Sequence, residues 1–386
     1  MSSVAVHTEG FAYGGEAFGR LPDGRICFFR GGVPGETAEL EIVSSKRTFA
    51  RGVLRSVSDA SPSRLVPLCP LAVHPGIDRF CPGCSFQQVE YSEELRWKQR
   101  QLEHFMLRGK LADAAAFAVP VPSPSRFGWR NRLKLSRVNG EAGFFAEDNV
   151  SLVPVAHCPL AVPAIDSALP DCRGLSGDEI FLRWTKDDGV VVNGGDRELT
   201  ERLEEFGDFR VSASSFFQTN SAVAALLLRG VVGILTELGV RRLLELYCGV
   251  GVFSLAAAGM LPELRADGVE LDRRAVDCAR RNAKARRVSD RCRFIIGDAD
   301  KWRERPKTLP PDAVLVDPPR RGLSPRLIEA LKRWRVPHVI YVSCAPDTLA
   351  RDLGRLSGVY RAVKCRLYDM FPCTAHFETL TQLDLQ

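Results

Sequence analysis

The chain has 386 residues, of which 45% are hydrophobic and 26% charged, and its formal net charge is +6. The length exceeds one ordinary core, so we expect two or three domains of a soluble globular type. No apolar stretch reaches the length of a membrane span, and the opening MSSVAVHTEG lacks a signal-peptide pattern, which predicts a cytoplasmic protein.

The charge and the cysteine content narrow the classes of partner and cofactor. Basic residues occur in pairs, such as Arg273-Arg274, Arg280-Arg281 and Arg320-Arg321. This favours a polyanionic partner such as nucleic acid, although basic helix faces are often only solvated. In a reducing compartment the 12 cysteines are read as free thiols, metal ligands or catalytic groups rather than disulfides.

Residues 1 to about 60 contain short β-type runs at Arg25–Phe29, Ala38–Val43 and Arg51–Val57, separated by glycine-containing turns. Such spacing predicts a small all-β barrel of the OB type. The pattern GFAYGGEAFGRLPDGRICFFRGGVPGETAEL resembles the TRAM domain, an RNA-binding β-barrel found in several RNA-modifying enzymes.

The middle of the chain predicts a linker, a helix and a second β-rich unit. Residues 56–70 are broken by Ser and Pro, and apolar positions at helical spacing predict an amphipathic helix from Tyr91 to Arg108. We expect Pro120, Pro122 and Pro124 to end it. Short β-type runs follow at Arg132–Val138, Phe181–Trp184 and Gly189–Val192.

Beyond residue 211, buried strands alternate with helical patterns, which predicts a parallel, doubly wound sheet. The predicted strands are Arg242–Leu246, Ala266–Glu270, Arg293–Ile296, Ala313–Val316 and Val339–Ser343, with a helix at Arg273–Arg287.

The ends of the first three strands suit a nucleoside-containing ligand. The first runs into Gly249-Val250-Gly251, where glycines let the backbone approach a ligand. The second ends in Glu270, whose carboxylate can accept ribose hydroxyls, and the third ends in Asp298, a partner for an adenine amino group. Nicotinamide enzymes share part of this layout, but Ser254 occupies their third glycine position.

The fourth strand leads into Asp317-Pro318-Pro319-Arg320. Amino-group methyltransferases often have an aromatic residue in the position of Arg320, so an exocyclic amine is a less suitable target here. Arg320 instead supplies a cation that can bind phosphate.

Cys344 follows the fifth strand, at the edge where ligands bind in open α/β sheets. An isolated cysteine is often a small buried apolar residue. The spacing of the first three strand ends, however, resembles class I S-adenosylmethionine-dependent methyltransferases, with Glu270 as the ribose ligand. Beside such a methyl donor, a thiolate that adds to carbon 6 of a pyrimidine makes carbon 5 nucleophilic. A base must then remove the carbon 5 proton, and Glu378 is the candidate, although a Glu in isolation is more often a surface residue.

Five segments, FFQTNSAVAALL, ELYCGVGVFSL, VDPPRRGL, YVSCAPDTLARDL and DMFPCTAHFETL, resemble the RNA uracil-5-methyltransferase family in this order. The resemblance implies an S-adenosylmethionine-dependent enzyme with Cys344 as nucleophile and Glu378 as proton acceptor. It also implies that Gln218, Tyr247, Glu270 and Asp317 contact the methyl donor or hold the uracil site in shape. The strand ends add Gly249, Gly251 and Asp298 to the candidate donor-binding residues. Family members commonly have Asn in place of Ala345 and Val252 and His in place of Cys373.

Four cysteines form a second candidate site: Cys69, Cys81, Cys84 and Cys158. A C-x2-C pair with two distant cysteines suits zinc or a [4Fe-4S] cluster, and ligand type does not decide between them. The string CPGCSFQQ, with Cys158 before Pro159, resembles the iron-sulfur motif of part of the same family, which implies the cluster. The separation of Cys69 from Cys81 is longer than is usual there.

Together these features predict three domains. They are a TRAM-like barrel (1–60), a central β-rich domain with the cysteines (61–90 and 118–210) and a Rossmann-like methyltransferase domain (91–117 and 211–386). The resemblance favours 23S ribosomal RNA as substrate over transfer RNA, with the protein acting as a monomer. Alternatives are a non-catalytic RNA-binding or assembly factor, which would be expected to lack the nucleophile or base, and a DNA cytosine-5 methyltransferase, whose cysteine usually lies in the fourth-strand loop.

Overall fold

The structure is a computed structural model that describes residues 3–302 and 310–386. The chain divides into two compact units. Unit 1 comprises residues 1–101, 125–182 and 371–376, and unit 2 comprises residues 102–124, 183–370 and 377–386. Across the described ranges, no helix is both long enough and apolar enough to cross a bilayer.

Unit 1 begins with a closed five-stranded barrel, as the sequence predicted, in the order β1-β2-β3-β5-β4. Two strands were missed by the sequence analysis, β1 and β2. The bounds are β1 (Ser3–Phe11), β2 (Ala17–Arg20), β3 (Ile26–Phe29), β4 (Thr37–Ser45) and β5 (Phe49–Ser58). Alternate residues of each strand fill the barrel, for example Val6, Cys27, Phe29 and Leu40.

The remainder of unit 1 contains the start of a helix and an antiparallel meander. The helix α1 (Tyr91–Arg108) has the predicted bounds, with Glu93 and Glu94 in its first turn. It is followed by β6 (Arg132–Val138), β7 (Glu141–Phe145) and β8 (Leu152–Pro154), which pair in sequence order, and by the short helix α2 (Pro163–Ala168).

Four further strands precede the large sheet: β9 (Glu179–Thr185), β10 (Gly189–Val192), β11 (Glu198–Arg202) and β12 (Asp208–Ser212). Within unit 2, β11 and β12 form an antiparallel pair. A buried ion pair between Arg183 and Glu201 stabilises this region, with the guanidinium also donating to the carbonyl oxygens of Ser212 and Ser215.

Unit 2 is built on a seven-stranded sheet in the order β15-β14-β13-β16-β17-β19-β18. Its elements are α3 (Ser221–Glu237), β13 (Arg242–Leu246), α4 (Val252–Met260), β14 (Arg265–Glu270), α5 (Arg273–Ala285), β15 (Cys292–Ile296), β16 (Ala313–Val316), α6 (Pro325–Trp334), β17 (His338–Ser343), α7 (Pro346–Leu356), β18 (Tyr360–Tyr368) and β19 (Glu378–Leu385).

The five predicted strands of this sheet are confirmed, and they are parallel from β15 to β17. Strands β19 and β18 are antiparallel, so the sheet is mixed rather than wholly parallel. The chain first enters the sheet at β13 and then extends it on both sides, which makes the carboxyl end of β13 the crevice where ligands bind in such folds.

The prediction that the prolines at positions 120, 122 and 124 end helix α1 is wrong. Helix α1 ends at Arg108 and is followed by Gly109. The proline-containing segment instead runs beside the edge strand β18, with parallel bridges from Phe117 to Cys365 and from Val121 to Tyr368. Proline is tolerated here because a segment at the edge of a sheet does not use all of its main-chain N–H groups for hydrogen bonds to the neighbouring strand.

Candidate active site

The candidate nucleophile and base lie on adjacent strands of the unit 2 sheet. Cys344 follows the last residue of β17, and Glu378 is the first residue of β19. The antiparallel register pairs Ser343 with Thr379, so one further step along both strands places Cys344 opposite Glu378. Directly opposed residues of an antiparallel pair have side chains on the same face, with Cβ atoms about 5 Å apart.

Burial and two carboxyl groups control the protonation of the thiol. Burial, then Glu378 and Asp317, raise the pKa of Cys344 to about 12, while Arg320 lowers it. The cysteine is therefore a neutral thiol near pH 7 in the ligand-free protein. Its partial exposure leaves a route for a substrate to reach the sulfur.

Glu378 is an almost fully buried carboxyl group with unused hydrogen-bonding capacity. Its side chain is 5% exposed, and its Oε2 atom has no hydrogen-bond partner. Burial, and then the charge of Asp317, raise the pKa of Glu378 well above its ordinary value. Because an unpaired buried carboxyl oxygen is costly, this atom is a candidate to receive a ligand or a proton.

Asp317 brings a third titratable group to the same edge of the sheet. It follows β16, the strand next to β17, and burial raises its pKa to about 7. A thiol and two carboxyl groups with raised pKa values thus meet at the ends of three strands. Such a group of perturbed side chains is typical of a catalytic site rather than a structural ion pair.

A pocket beside Asp317 is the candidate donor site. Of the predicted donor-binding residues, Gln218, Tyr247, Gly249 and Asp317 line it. The backbone of Gly249 is in the left-handed region, and a Cβ atom there would meet only open space. The turn between β13 and α4 therefore leaves room for a ligand to approach the main chain, as the two-glycine pattern predicted.

The other three predicted donor-binding residues do not line that pocket and occupy supporting positions beside it. Glu270 accepts hydrogen bonds from the N–H groups of Gly249 and Asp272, at 3.0 and 2.8 Å. Gly251 is the N-cap of α4, and a Cβ there would lie 2.6 Å from the Phe294 ring.

Asp298 likewise binds the protein's own backbone, accepting from the N–H of Asp300 at 3.0 Å. The Tyr247 hydroxyl donates to the side chain of Asp300 at 2.6 Å. Asp300, which the sequence analysis did not select, therefore orients a tyrosine of the pocket.

Two further residues of the site were also missed. Phe216 lines the donor pocket and is 68% exposed, which is unusual for a large aromatic side chain. Glu245 is buried, accepts from the backbone and hydroxyl of Ser254, and has its pKa raised to about 8, mainly by burial. Phe216 lies in the motif FFQTN and Glu245 in the motif ELYCGVG. Their positions in these motifs could have identified them from the sequence.

The three departures from the family pattern have identifiable local consequences. Ala345 is the N-cap of α7 and gives the helix no side-chain cap, while its own N–H donates to the Ser343 hydroxyl at 3.2 Å. Val252 lines the donor pocket with an apolar side chain. Cys373 is fully buried in unit 1 and has a left-handed backbone with φ 63°.

The four predicted metal-ligating cysteines lie together in unit 1. Cys69, Cys81, Cys84 and Cys158 line one small cavity, and burial is the main cause of the raised pKa values of the first three. Among residues 3–302 and 310–386, no group of three or more His, Cys, Asp or Glu side chains is arranged to hold a metal ion. The shared cavity is therefore observed, and the metal site itself stays a prediction.

The chain is similar to known RNA methyltransferases over almost its whole length. The family model described as tRNA (Uracil-5-)-methyltransferase matches residues 198–300 and 307–385, and that of the TRAM domain matches residues 3–54. An uncharacterized RNA methyltransferase of Gloeobacter violaceus is 30% identical over 99% of this chain and 96% of its own length. The chain belongs to the RNA uracil-5-methyltransferase family.

Further relatives agree with this assignment. An uncharacterized RNA methyltransferase of Thermosynechococcus vestitus is 28% identical, over 99% of this chain and 98% of that protein. Among solved structures, the tRNA (uracil-54, C5)-methyltransferase of Pyrococcus abyssi, in complex with S-adenosyl-L-homocysteine, matches with a TM-score of 0.74 and 25% identity. That match covers 98% of this chain and all of the archaeal one. The protein is thus an RNA methyltransferase with an N-terminal TRAM domain.

Proposed function

We propose that this enzyme methylates carbon 5 of a uridine in RNA, with Cys344 as nucleophile, Glu378 as base and S-adenosylmethionine as methyl donor. The observation that carries the proposal is the pairing of Ser343 with Thr379, because it brings the next residue, Cys344, to the buried Glu378 carboxyl, whose Oε2 atom has no hydrogen-bond partner. The donor is supported by the pocket at Gly249 and by the S-adenosyl-L-homocysteine complex of the Pyrococcus abyssi enzyme.

The first step is addition of the Cys344 sulfur to carbon 6 of the uracil. The thiol proton passes to water before the addition, because a thiol with a pKa of about 12 is neutral near pH 7. As the carbon–sulfur bond forms, the electrons of the C5=C6 bond become an enolate, which makes carbon 5 nucleophilic. A bound donor supplies the methyl group and a positive sulfonium charge, which favours the ionised forms of both Cys344 and Glu378.

Methyl transfer and release complete the cycle. Carbon 5 bonds to the methyl carbon as the bond from that carbon to the sulfonium sulfur breaks. The Glu378 carboxylate then takes the carbon 5 proton, the freed electron pair restores the C5=C6 bond, and the Cys344 thiolate is expelled. Asp317 and Arg320, which influence the protonation of this pair, would hold the uracil side of the site in shape.

Binding of RNA is supported by the outer surface of the TRAM barrel. Phe18, Phe28 and Phe49 alternate with buried residues and are partly exposed. Their ring centroids form a row, with separations of 6.5 and 6.1 Å. Lys46 and Arg47 are exposed beside Phe49, in the turn before β5. Aromatic faces with adjacent cations suit unpaired nucleotides, whose bases stack while their phosphates are neutralised.

For the RNA substrate we propose 23S ribosomal RNA, because the cysteine motif resembles that of family members acting on it. Transfer RNA is the second candidate, favoured by the Pyrococcus abyssi neighbour, which is a tRNA (uracil-54) enzyme. Either substrate would place the enzyme in the cytoplasm, and we expect a monomer.

We further propose that Cys69, Cys81, Cys84 and Cys158 hold a [4Fe-4S] cluster with a structural role. The fit rests on their donor set, four cysteine thiols around one cavity. A zinc ion would need all four sulfurs about 2.3 Å from a single point, whereas a cluster spreads its ligands over four iron atoms. An anaerobically purified brown protein with about four irons per chain is expected, and a colourless zinc protein would refute the cluster.

The proposed function is tested by nucleoside mass spectrometry of ribosomal and transfer RNA from cells with and without the protein. Loss of 5-methyluridine from ribosomal RNA in the deletion strain supports the first substrate, and loss from transfer RNA supports the second. Complementation with Cys344→Ala should fail, whereas Cys278→Ala, which removes a buried thiol on α5, should restore the modification. Unchanged 5-methyluridine in both RNAs would instead favour a non-catalytic RNA-binding factor.

A further inference from the structure

Helix α1 contains a completely buried ion pair. The side chains of Glu94 and Lys98 are both 0% exposed, and Lys98 Nζ donates to Glu94 Oε1 at 2.7 Å. Burying two charges is costly, and a well-packed apolar pair of similar size is often equally stable. Stability alone therefore does not explain the pair. The hydrogen bonds that Glu94 and Lys98 make to other groups indicate its role.

Both charged groups bind the main chain of one loop, residues 371–376, which we call the β18–β19 loop. Glu94 Oε1 accepts from the N–H of Cys373 at 2.8 Å, and Lys98 Nζ donates to the carbonyl oxygen of Phe371 at 3.2 Å. Hydrogen bonds to charged partners are stronger than those between neutral groups. The pair thus fixes two main-chain groups of the loop that are two residues apart.

The same loop is held from a second direction. The N–H groups of Ser85 and Phe86 both donate to the carbonyl oxygen of Cys373, at 2.9 and 3.0 Å. Cys373 itself is in the left-handed region, which a non-glycine residue adopts only where the surroundings enforce it. The loop conformation is therefore imposed by its contacts, and Glu94 supplies the side-chain oxygen that accepts from the Cys373 N–H.

Chain connectivity links this loop to the base. Phe377 alone separates the β18–β19 loop from Glu378, which begins β19. The sheet holds the main chain of Glu378 itself, which pairs with Tyr368 of β18, while the loop holds the chain that precedes Phe377. A change at Phe371 or Cys373 would thus alter the direction from which the chain reaches Glu378.

We propose that Glu94 and Lys98 are positioning residues for proton abstraction, because they fix the loop that sets the Glu378 carboxylate. This inference rests on the proposed function. Glu378 acts only after the methyl group has been transferred, so a misplaced carboxylate slows release rather than addition. The expected signature is an enzyme that forms the covalent Cys344–RNA adduct and resolves it slowly.

The test compares two double variants that each replace one Glu–Lys pair with neutral side chains of similar shape. Glu94→Gln with Lys98→Met removes the buried pair. Glu329→Gln with Lys332→Met removes a solvent-accessible pair on α6 and is the matched control. We expect kcat to fall about 10- to 100-fold in the first variant and less than twofold in the control, with unchanged KM for the donor.

The diagnostic readout is the covalent adduct on denaturing gels, with Glu378→Gln as the reference. The Glu94/Lys98 variant should accumulate adduct, as Glu378→Gln does, while circular dichroism and donor binding match the wild type. Adduct at the wild-type level, or kcat within twofold of the control, would overturn the inference.

A second variant tests the inference if the Glu94/Lys98 double variant does not fold. Glu94→Asp keeps the charge and shortens the reach to the Cys373 N–H, and it should show a smaller kcat loss with the same adduct. Loss of donor binding in parallel with kcat in this variant would overturn the positioning role. If wild-type enzyme makes no 5-methyluridine and Glu378→Gln gives no adduct, the proposed function has failed instead.

Discussion

The ionisation of Cys344 gives the sharpest test of the site, because it can be measured without an RNA substrate. Burial and the two neighbouring carboxyl groups raise the pKa of this thiol from an ordinary 9.0 to about 12. At pH 7 the thiolate fraction is then about 10⁻⁵, roughly 1000-fold below that of an ordinary thiol. Since only the thiolate is nucleophilic, alkylation of Cys344 should be slow at neutral pH and rise about tenfold per pH unit.

The assay is iodoacetamide labelling between pH 7 and 10, followed by peptide mass spectrometry of the Cys344 peptide, with glutathione in the same tube as an ordinary thiol. The glutathione rate should level off near its own pKa, whereas the Cys344 rate should still be rising at pH 10. Adding S-adenosylmethionine should speed labelling more than adding S-adenosylhomocysteine, whose thioether sulfur is neutral, because the sulfonium charge favours the thiolate. A Cys344 rate that reaches its plateau near pH 9 in the ligand-free protein would refute this account.

Three further predictions concern the fold and the RNA surface. Gly251→Ala should lower the free energy of unfolding by about 2–4 kcal/mol in urea titrations, because φ is +79° and the new Cβ would lie 2.6 Å from Phe294. Burial raises the pKa of Glu245 from 4.5 to about 8. The contribution of this group to the stability of the folded protein is therefore fully present below pH 4.5 and is lost as the pH rises through 8. Glu245→Gln should therefore gain relative to wild type over this range, by up to about 5 kcal/mol, and a pH-independent difference in urea midpoints would contradict this. Phe28→Ser should weaken binding of single-stranded RNA in fluorescence anisotropy by about 1–3 kcal/mol while donor binding is unchanged, and equal affinities would exclude the aromatic row.

The sequence determined the local structure and the chemistry-bearing residues. Period-2 alternation and glycine turns identified the barrel, and apolar runs such as Ala313–Val316 identified the buried parallel strands. These signals are local, because each strand or helix presents its apolar residues with its own period. Cys344 and Glu378 were selected as candidates for the same reason, since each lies within a short motif whose residues are contiguous in the chain.

Tertiary structure alone decided how distant segments meet. The antiparallel direction of β19, which places Glu378 opposite Cys344, is not encoded in the pattern of either strand. The shifted pKa values depend on burial and on charges brought together by folding, and no single motif contains them. In the same way, Glu94 and Lys98 lie on a helix more than 270 residues before the loop they bind, so an unremarkable i,i+4 pair acquires its role only when the chain is folded.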